Sequence, residues 1–382
     1  MKRKPRVVVA MSGGVDSAVA AVLLIEQGYE VVGISLKLLP RGAGNGSERA
    51  DRCCSAKDAE DARLVAAHLG IPYYVLNYES QFQRKVIQEF TEAYLGGLTP
   101  NPCVRCNELV KFGSLLRQAV GLGAERLATG HYARVERESA SGRYLLRRGA
   151  DDERDQSYFL YSLTQEQLAR LCFPVGHMTK DQVRKRAAAY GLRVAAKIDS
   201  QDLCFVGDDY RTYLREQCGD RLKPGPVTDS TGRILGQHRG LALYTVGQRN
   251  GLGLAGGPFY VVRLDAETNA VVVGRRDELL RPEFVAEGLN LIAWDRLTDE
   301  RPVLMKVRSR QAAMAATVSP MGGDGRIRVR WQEPQPAPAP GQAAVFYDVS
   351  EPDLLVGGAT VAADCEVQHD QAGKKGLTDC ES

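Results

Sequence analysis

A chain of 382 residues is longer than one core of ordinary size, so two or three domains are expected. Its apolar fraction of 44% and charged fraction of 25% are those of an ordinary soluble protein, and no run approaches the ~20 apolar residues of a membrane span, which argues against an integral membrane protein. The net charge of +3 is close to neutral and names no partner. The basic start, Met1-Lys2-Arg3-Lys4, is followed by an apolar stretch too short for a signal peptide, so a cytoplasmic location is expected. Nine cysteines in such a chain point to metal binding or catalysis rather than a disulfide framework.

In chain order, Val7–Met11 is a largely β-branched run that predicts a strand. Ser12-Gly13-Gly14-Val15-Asp16-Ser17 follows at once, and Ala18–Leu24 predicts a helix. Strand, glycine turn and helix start make a phosphate site. The glycines let the backbone approach an anion, and the unpaired N–H groups of the first helical turn point at it along the favourable end of the helix dipole. Ser12 and Ser17 add hydroxyl donors. The loop lacks the lysine of G-x-x-x-x-G-K-[ST] and resembles instead the S-G-G-x-D-S pyrophosphate loop of ATP-pyrophosphatases. That resemblance implies a hold on the β- and γ-phosphates, attack at the α-phosphate and an adenylated substrate. Asp16 would help to place Mg²⁺, a hard cation that takes oxygen ligands. The plainer alternative is an ordinary turn with Asp16 as helix N-cap.

Strands and helices then alternate. Tyr29–Leu36 and Tyr73–Leu76 predict strands, Ser55-Ala56-Lys57-Asp58 has the form of a helix cap, and Ala59 to Leu69 repeats at helical spacing before Gly70 and Pro72. Gln83–Leu95 and Leu109–Val120 predict helices on either side of the loop Gly96–Pro102, and Arg126–Thr129 a strand before Gly130-His131-Tyr132. This order predicts an α/β fold: an open parallel sheet covered on both faces, with ligands at the carboxyl ends of its strands. Ser12–Ser17, the 96–106 loop and Gly130-His131 would share that edge. Gln165–Tyr190 predicts a further helix, and Lys197–Phe205 closes the first domain. Pro224–Gly236 and Phe259–Gly274 then predict hairpins, the second turning at Asp265–Asn269. Strands predominate from Phe284, with a Pro-rich connector at Pro334–Pro340, and residues from about Glu366 are polar and expected to be unfolded.

Cys103-Val104-Arg105-Cys106 is a C-x-x-C pair at a loop-to-helix junction, without the second C-x-x-C that a four-cysteine zinc site needs. A cysteine at a helix N-terminus gains thiolate character, which suits Cys106. Cys204, flanked by Leu203 and Phe205, is the third candidate. Cys172, Cys218, Cys365 and Cys380 are assigned as small buried hydrophobes, and Cys53-Cys54 receives no role.

Six motifs now carry a closer resemblance. They are Thr99-Pro100-Asn101-Pro102-Cys103-Val104-Arg105-Cys106-Asn107, Ala128-Thr129-Gly130-His131-Tyr132, Asp155-Gln156-Ser157-Tyr158-Phe159-Leu160, Lys197-Ile198-Asp199-Ser200 with Cys204-Phe205, Thr245-Val246-Gly247-Gln248-Arg249 and Pro340–Tyr347. In this order, from about residue 5 to 365, the chain resembles the tRNA-specific 2-thiouridylases, the MnmA/TrmU family. The resemblance implies three parts: a doubly wound pyrophosphatase-loop catalytic domain over 1–206, a small mainly-β central domain over 207–282, and a C-terminal β-barrel over 283–365, with a disordered tail at 366–382. It implies that ATP adenylates the C2 oxygen of the wobble uridine in tRNA, and that sulfur from a donor or relay protein then displaces AMP.

The resemblance makes Cys204 the persulfide carrier and Cys106 its partner in proton transfer and in disulfide-forming sulfur release, a division that thiol–disulfide exchange allows. Ala10, Met11, Ser12, Gly13, Gly14, Val15, Asp16 and Ser17 would hold ATP, with Leu36 lining the adenine pocket and Gly130 contacting the nucleotide. Asn101, Pro102 and Cys103 would meet the target base. Arg154, Asp155, Gln156, His131 and Gln342 are implied tRNA contacts, and His131 is given no acid–base role. The chain departs from the commoner family form at Cys103, where many members have Asp. Three thiolates from Cys103, Cys106 and Cys204 could therefore hold a [4Fe–4S] cluster with one iron open for hydrosulfide, and this route is favoured over a persulfide alone.

Lys306, Arg308 and Arg310 fall on alternate positions opposite Met305 and Val307, as Arg326, Arg328 and Arg330 do opposite Ile327, Val329 and Trp331. Period-2 spacing would put each set on one strand face, and the two strands paired would present a cationic strip to a phosphate backbone. A solvated barrel exterior is the plainer reading. With the resemblance, Arg308, Arg310 and Gln311 become expected tRNA contacts. Two other classes stay open: another adenylating enzyme of the pyrophosphatase-loop superfamily, and a non-catalytic RNA-binding protein whose cysteines hold a metal or Fe–S group.

Overall fold

The computed structural model describes residues 4–40, 56–198, 203–206, 209–322 and 325–363. Expectations for Ser55, Cys53-Cys54, Asp199-Ser200, Cys365, Cys380 and the tail from Glu366 lie outside them.

The first sheet is parallel, with β1 (Arg6–Ala10), β2 (Glu30–Lys37), β3 (Tyr73–Asn77), β4 (Arg126–Ala128) and β7 (Leu171–Cys172) in the order β3-β2-β1-β4-β7. Val7, Val8 and Val9 are fully buried because both faces are covered, so each side chain contributes roughly 1.5–3 kcal/mol by leaving water. On one face, α1 (Val15–Glu26) and α2 (Ala56–His68) bury Val19, Val22, Val65 and Ala66 together with Val183 and Ala187 of α6 (Lys180–Ala189). On the other, the helix over 102–121 (α4) packs Phe112, Leu115 and Leu116 on Val8, Ile34 and Leu127. The strand order reverses direction between β1 and β4, which opens a crevice at their carboxyl ends. Ser12–Ser17 and Thr129-Gly130 are the two connections that leave those ends.

The segment 165–190 is not one helix. Gln165–Ala169 (α5) is followed by β7, a 3₁₀ turn at Pro174–His177 and then α6. Pro174 and Gly176 interrupt the pattern, and a Cβ on Gly176 would lie 1.8 Å from the Ala133 carbonyl, so the chain must cross tightly there. The helix over 79–95 (α3) contains a π-helical turn at Gln83–Ile87, and α4 is π-helical over Cys106–Leu115. There the Ser114 hydroxyl donates to the Leu109 carbonyl at 3.2 Å. Wide turns of this kind recur at functional sites.

After α7 (Tyr210–Cys218), a four-stranded sheet runs in the order β10-β11-β8-β9, built from β8 (Gly225–Asp229), β9 (Ile234–His238), β10 (Tyr260–Asp265) and β11 (Ala270–Gly274). Both expected hairpins are present, and Asn269 takes the left-handed conformation (φ 50°) at the second turn. The last unit is an antiparallel barrel of β12 (Leu280–Leu291), β15 (Ile327–Pro336), β14 (Met314–Pro320), β13 (Arg301–Lys306), β16 (Ala343–Tyr347) and β17 (Leu354–Val361), closed by the β12–β17 pairing. A hairpin of the first domain, β5 (Ala133–Arg137) with β6 (Tyr144–Arg148), extends this sheet by pairing with β17, and Arg147 bridges Asp353, Glu351 and Glu136. β15 runs on through Pro334 to Pro336, so only part of the expected Pro-rich stretch is a connector.

The cationic strip is corrected in three respects. β14 separates β13 from β15, so the two strands are not paired. β13 ends at Lys306, which leaves Arg308 and Arg310 exposed in the turn that follows. Lys306 is 7% exposed, and burial lowers its ammonium from the ordinary value. The alternation holds in β15, where Ile327, Val329 and Trp331 are buried and Arg330 is exposed.

Candidate active site at the sheet edge

At the first rim position, Gly14 is the N-cap of α1 (φ −94°, ψ 164°) and contributes no side chain, so Asp16 is not the cap. Gly13 has φ +75°, and a Cβ there would stand 2.2 Å from the Asp58 carbonyl oxygen; only glycine fits. Ser17 Oγ donates to the Gly14 carbonyl at 3.1 Å and accepts from Ser12 N–H at 3.2 Å, which folds the loop over the helix start. Beneath it, Ser35 Oγ donates to the Met11 carbonyl. Gly130 meets the loop from β4, where a Cβ would lie 2.7 Å from the Ser17 nitrogen.

Two lysines complete this end. Lys180 Nζ donates to both oxygens of Asp16, at 2.8 and 2.9 Å, and Tyr132 Oη donates to the first at 2.7 Å. The Lys180 side chain is 9% exposed and Asp16 28%. Thr179 caps α6 in a capping box, Asp151 accepts the Lys180 N–H, and Lys180 thereby enters the loop from the first helical position. Lys197 Nζ holds the Gly13 carbonyl at 3.0 Å together with Asp58 and Asp61 at 2.7 Å. Ordinary helix-capping signals gave no hint that Lys180 reaches Asp16, and Lys197 stood in a motif without a role. The loop's hydroxyls, N–H groups and Asp16 are hard donors suited to a triphosphate and Mg²⁺.

The sulfur end lies across an aromatic cluster. Asn101 caps α4 through Val104 N–H (3.3 Å), with Pro102 in the first turn. Cys103 is exposed, and one turn later Cys106 is 8% exposed. Cys106 belongs to a buried cluster with Phe82, Phe90 and Phe205, and Cys204 packs against the same cluster, as does Leu36 from β2. Phe205 anchors its own end with ring centroids 5.9 Å from Phe82, 5.0 Å from Phe90 and 5.6 Å from Tyr213. Leu36 also packs on the core beneath the sheet, along with Ala10. Cys172 is pushed up to about 11 by burial and Cys218 is also raised, in keeping with inert buried thiols. Among the described residues no three His, Cys, Asp or Glu side chains are gathered to hold a metal ion. As placed, Cys103, Cys106 and Cys204 do not form such a group.

Family models described as "tRNA methyl transferase HUP domain", "tRNA methyl transferase PRC-barrel domain" and "Aminomethyltransferase beta-barrel domain" match residues 5–208, 211–275 and 281–361. The tRNA-specific 2-thiouridylase MnmA of Moorella thermoacetica is 50% identical over 94% of this chain and 100% of its own length. That of Heliobacterium modesticaldum is 48% identical over 96% of this chain and 94% of its own. The chain belongs to the tRNA-specific 2-thiouridylase family. A third member, from Geobacter metallireducens, is 49% identical over 95% of this chain and 98% of its own.

Of the remaining residues singled out in the sequence, Thr99, Thr245, Gln342 and Arg308 fall where the three units meet. Thr99 N–H donates to the Pro340 carbonyl at 2.7 Å, Gln342 Nε2 to the Thr99 carbonyl at 2.8 Å, and Thr99 Oγ1 lies 3.4 Å from Thr245 Oγ1. Tyr158 Oη donates to the Ala343 carbonyl at 3.0 Å. Arg308 approaches Gly247 of the central unit, a Cβ there standing 3.9 Å from its guanidinium, and Gln311 packs on Met314. The Asp155 carboxylate is 2% exposed and is held by Arg148, Gly149 N–H and the N–H and hydroxyl of Ser157, so it faces inward. Gln156 Oε1 accepts from Tyr132 N–H, and Arg154 is half-buried. His131 Nδ1 is 2.7 Å from Thr129 Oγ1, and its ring packs beside Phe112 and Phe173. Burial, with Lys111 nearby, holds the imidazole well below its ordinary value, so it stays neutral. No helix among the described residues is long and apolar enough to cross a membrane.

Proposed function

We propose that the protein 2-thiolates the wobble uridine of tRNA in the cytoplasm, using ATP and a sulfur donor or relay protein. The observation that carries this reading is that the end of β2 joins both ends: Ser35 donates to the Met11 carbonyl at the start of the phosphate loop, and Leu36, the next residue, packs on the cluster that includes Cys106 and Cys204. Ala10–Ser17, Leu36 and Gly130 hold ATP, with its phosphates over the N–H groups of the loop. Asp16 and the phosphates would hold Mg²⁺, which would supply charge neutralisation when bound. Lys180 orients Asp16, and Lys197 fixes the Gly13 carbonyl so that the loop keeps its shape. Attack of the uracil C2 oxygen on the α-phosphate gives an adenylate and pyrophosphate.

Cys204 carries the sulfur as a persulfide. Its outer sulfur attacks C2, AMP leaves, and the Cys106 thiolate attacks the inner sulfur. The S–S electron pair departs with the thiocarbonyl and a Cys106–Cys204 disulfide remains. Aromatic packing keeps water from the loaded sulfur. Asn101, Pro102 and Cys103 meet the base, while Arg154, Gln156, Arg308, Arg310, Gln311 and Gln342 line the junction on which the RNA lies; His131 and Asp155 support it from within. Nucleoside mass spectrometry of tRNA incubated with the protein, ATP, Mg²⁺ and a sulfide source tests the reading, with 2-thiouridine at the wobble position expected. ATP turnover without thiolation would favour an adenylating enzyme of another substrate class, and tRNA binding without ATP turnover a non-catalytic RNA-binding protein.

A further inference from the structure

The sulfur-transfer reading, on which this inference rests, leaves one stage without a residue. Each turnover oxidises Cys106 and Cys204 to a disulfide, and the next needs both thiols back. Cys106 is buried and Cys204 half-buried against the same aromatic cluster. Thiol–disulfide exchange depends on access to the sulfur attacked, and of the three cysteines Cys103 is the most exposed. Cys103 is exposed, three residues before Cys106 on the same helix. Side chains at this spacing are neighbours, about 5–6 Å apart at Cβ, and a backbone shift of about 1–2 Å in this first helical turn brings them to the roughly 3.5–4.5 Å of a disulfide. Its place is fixed: Asn101 caps the turn, and Thr99 is tied to Pro340, Gln342 and Thr245.

We propose that Cys103 is the resolving thiol of the reaction cycle, carrying reducing equivalents from a protein dithiol at the surface through the buried Cys106 to the Cys106–Cys204 disulfide. The Cys103 thiolate attacks Cys106 Sγ. A Cys103–Cys106 bond forms, the Cys106–Cys204 bond breaks, and its electron pair leaves on Cys204, which takes a proton and is ready to be loaded. The external dithiol then attacks the exposed Cys103 sulfur, is oxidised to its own disulfide, and returns Cys103 and Cys106 as thiols. Atoms and electrons balance with one dithiol consumed per uridine.

Arg105 lies between the two cysteines, so trypsin separates Cys103 from Cys106 unless a disulfide joins their peptides. The full-length protein, loaded with persulfide, is given tRNA, ATP and Mg²⁺ without reductant, quenched in acid, alkylated and digested. A Cys103–Cys106 cross-link beside Cys106–Cys204 is expected. Recovery of thiols by oxidised enzyme is then timed with thioredoxin and with dithiothreitol. In Cys103→Ser the thioredoxin rate should fall at least about tenfold, and the dithiothreitol rate by much less, since a small dithiol reaches the inner bond. If the variant turns over too slowly to oxidise itself, one equivalent of a mild thiol oxidant prepares the same state. A wild-type enzyme showing only the Cys106–Cys204 cross-link, a variant that thioredoxin reduces at the wild-type rate, or stoichiometric iron and labile sulfide lost on Cys103→Ser would each overturn the proposal. Thiolation by Cys106→Ser or Cys204→Ser would instead overturn the underlying reading, and it is scored separately.

Discussion

The phosphate end and the sulfur end of this edge are made of opposite materials. Around Gly13 the work falls to main chain and paired charges: Lys180 on Asp16, Lys197 on Asp58 and Asp61, and hydroxyls turned onto carbonyls. Around Cys106 it falls to rings, with Phe82, Phe90, Phe205 and Tyr213 in edge-to-face contact. A triphosphate needs fixed dipoles and cations that cost no reorganisation. A loaded sulfur needs dry surroundings instead. One rim therefore supports two chemistries because its neighbouring loops draw on different packing, and each end should fail in its own way.

The largest separation is expected from the thiols. Cys204→Ser and Cys106→Ser should each lower 2-thiouridine formation more than about a thousandfold, as loss of a covalent nucleophile does, while ATP binding by calorimetry stays within a few fold. Loss of both together would mean that the two ends are one unit. Gly13→Ala attacks the other end. With φ at +75° and the Asp58 carbonyl in the way, it should cost about 2–4 kcal/mol in urea unfolding and abolish ATP binding, yet leave cysteine loading measurable by persulfide labelling.

The phosphate end was the more legible of the two in the sequence, and the contrast has a physical cause. Its strand, glycine turn and helix start are contiguous, so Ser12–Ser17 announces itself within six residues. What escaped was Lys180: its ion pair spans 164 residues, and nothing in a capping box tells where a side chain on the first turn points. At the sulfur end the cysteines were readable as types, and their convergence on one cluster is tertiary. The barrel shows the same limit. Alternation marked Arg328 and Arg330 correctly as a strand face but began that strand one residue early, at Arg326, and carried β13 past its end, because a turn can adjoin a strand without breaking polar alternation. The pairing of β6 with β17 escaped for a related reason: Arg147 and Leu354 meet across more than 200 residues of chain.

Lys180→Met sharpens the phosphate end. It strands the Asp16 carboxylate beside Tyr132, and a stability loss of about 1–3 kcal/mol is expected, below that of a fully buried pair because Asp16 is partly solvated. Asp16→Asn added to Lys180→Met should recover most of that loss without restoring ATP turnover; a double variant as unstable as the single one would remove Lys180 from the pair. Arg308→Glu with Arg310→Glu probes the junction, where a tenfold or greater loss of tRNA affinity and a salt slope shallower by roughly two are expected. An unchanged slope would remove both arginines from the RNA surface.

The smallest effect concerns His131, a polar ring set in the apolar layer behind the phosphate end. Its folded-state value is held well below 6.5 by burial first and by Lys111 second, whereas in the unfolded chain it titrates near 6.5. As pH falls through 6.5 the unfolded chain takes the proton and the folded one does not, so stability is fully present above pH 6.5 and declines below it. The slope is at most about 1.4 kcal/mol per pH unit. His238, lowered by the same cause, adds a parallel term to wild type and variant alike. His131→Gln keeps a partner for Thr129 and removes the titration. The difference in urea midpoint between wild type and variant should therefore shift steadily in the variant's favour from pH 6.5 to 5, and remain constant from 6.5 to 8. A constant difference across the whole range would mean that the ring is solvated and that the apolar packing seen at the sulfur end does not extend behind the nucleotide.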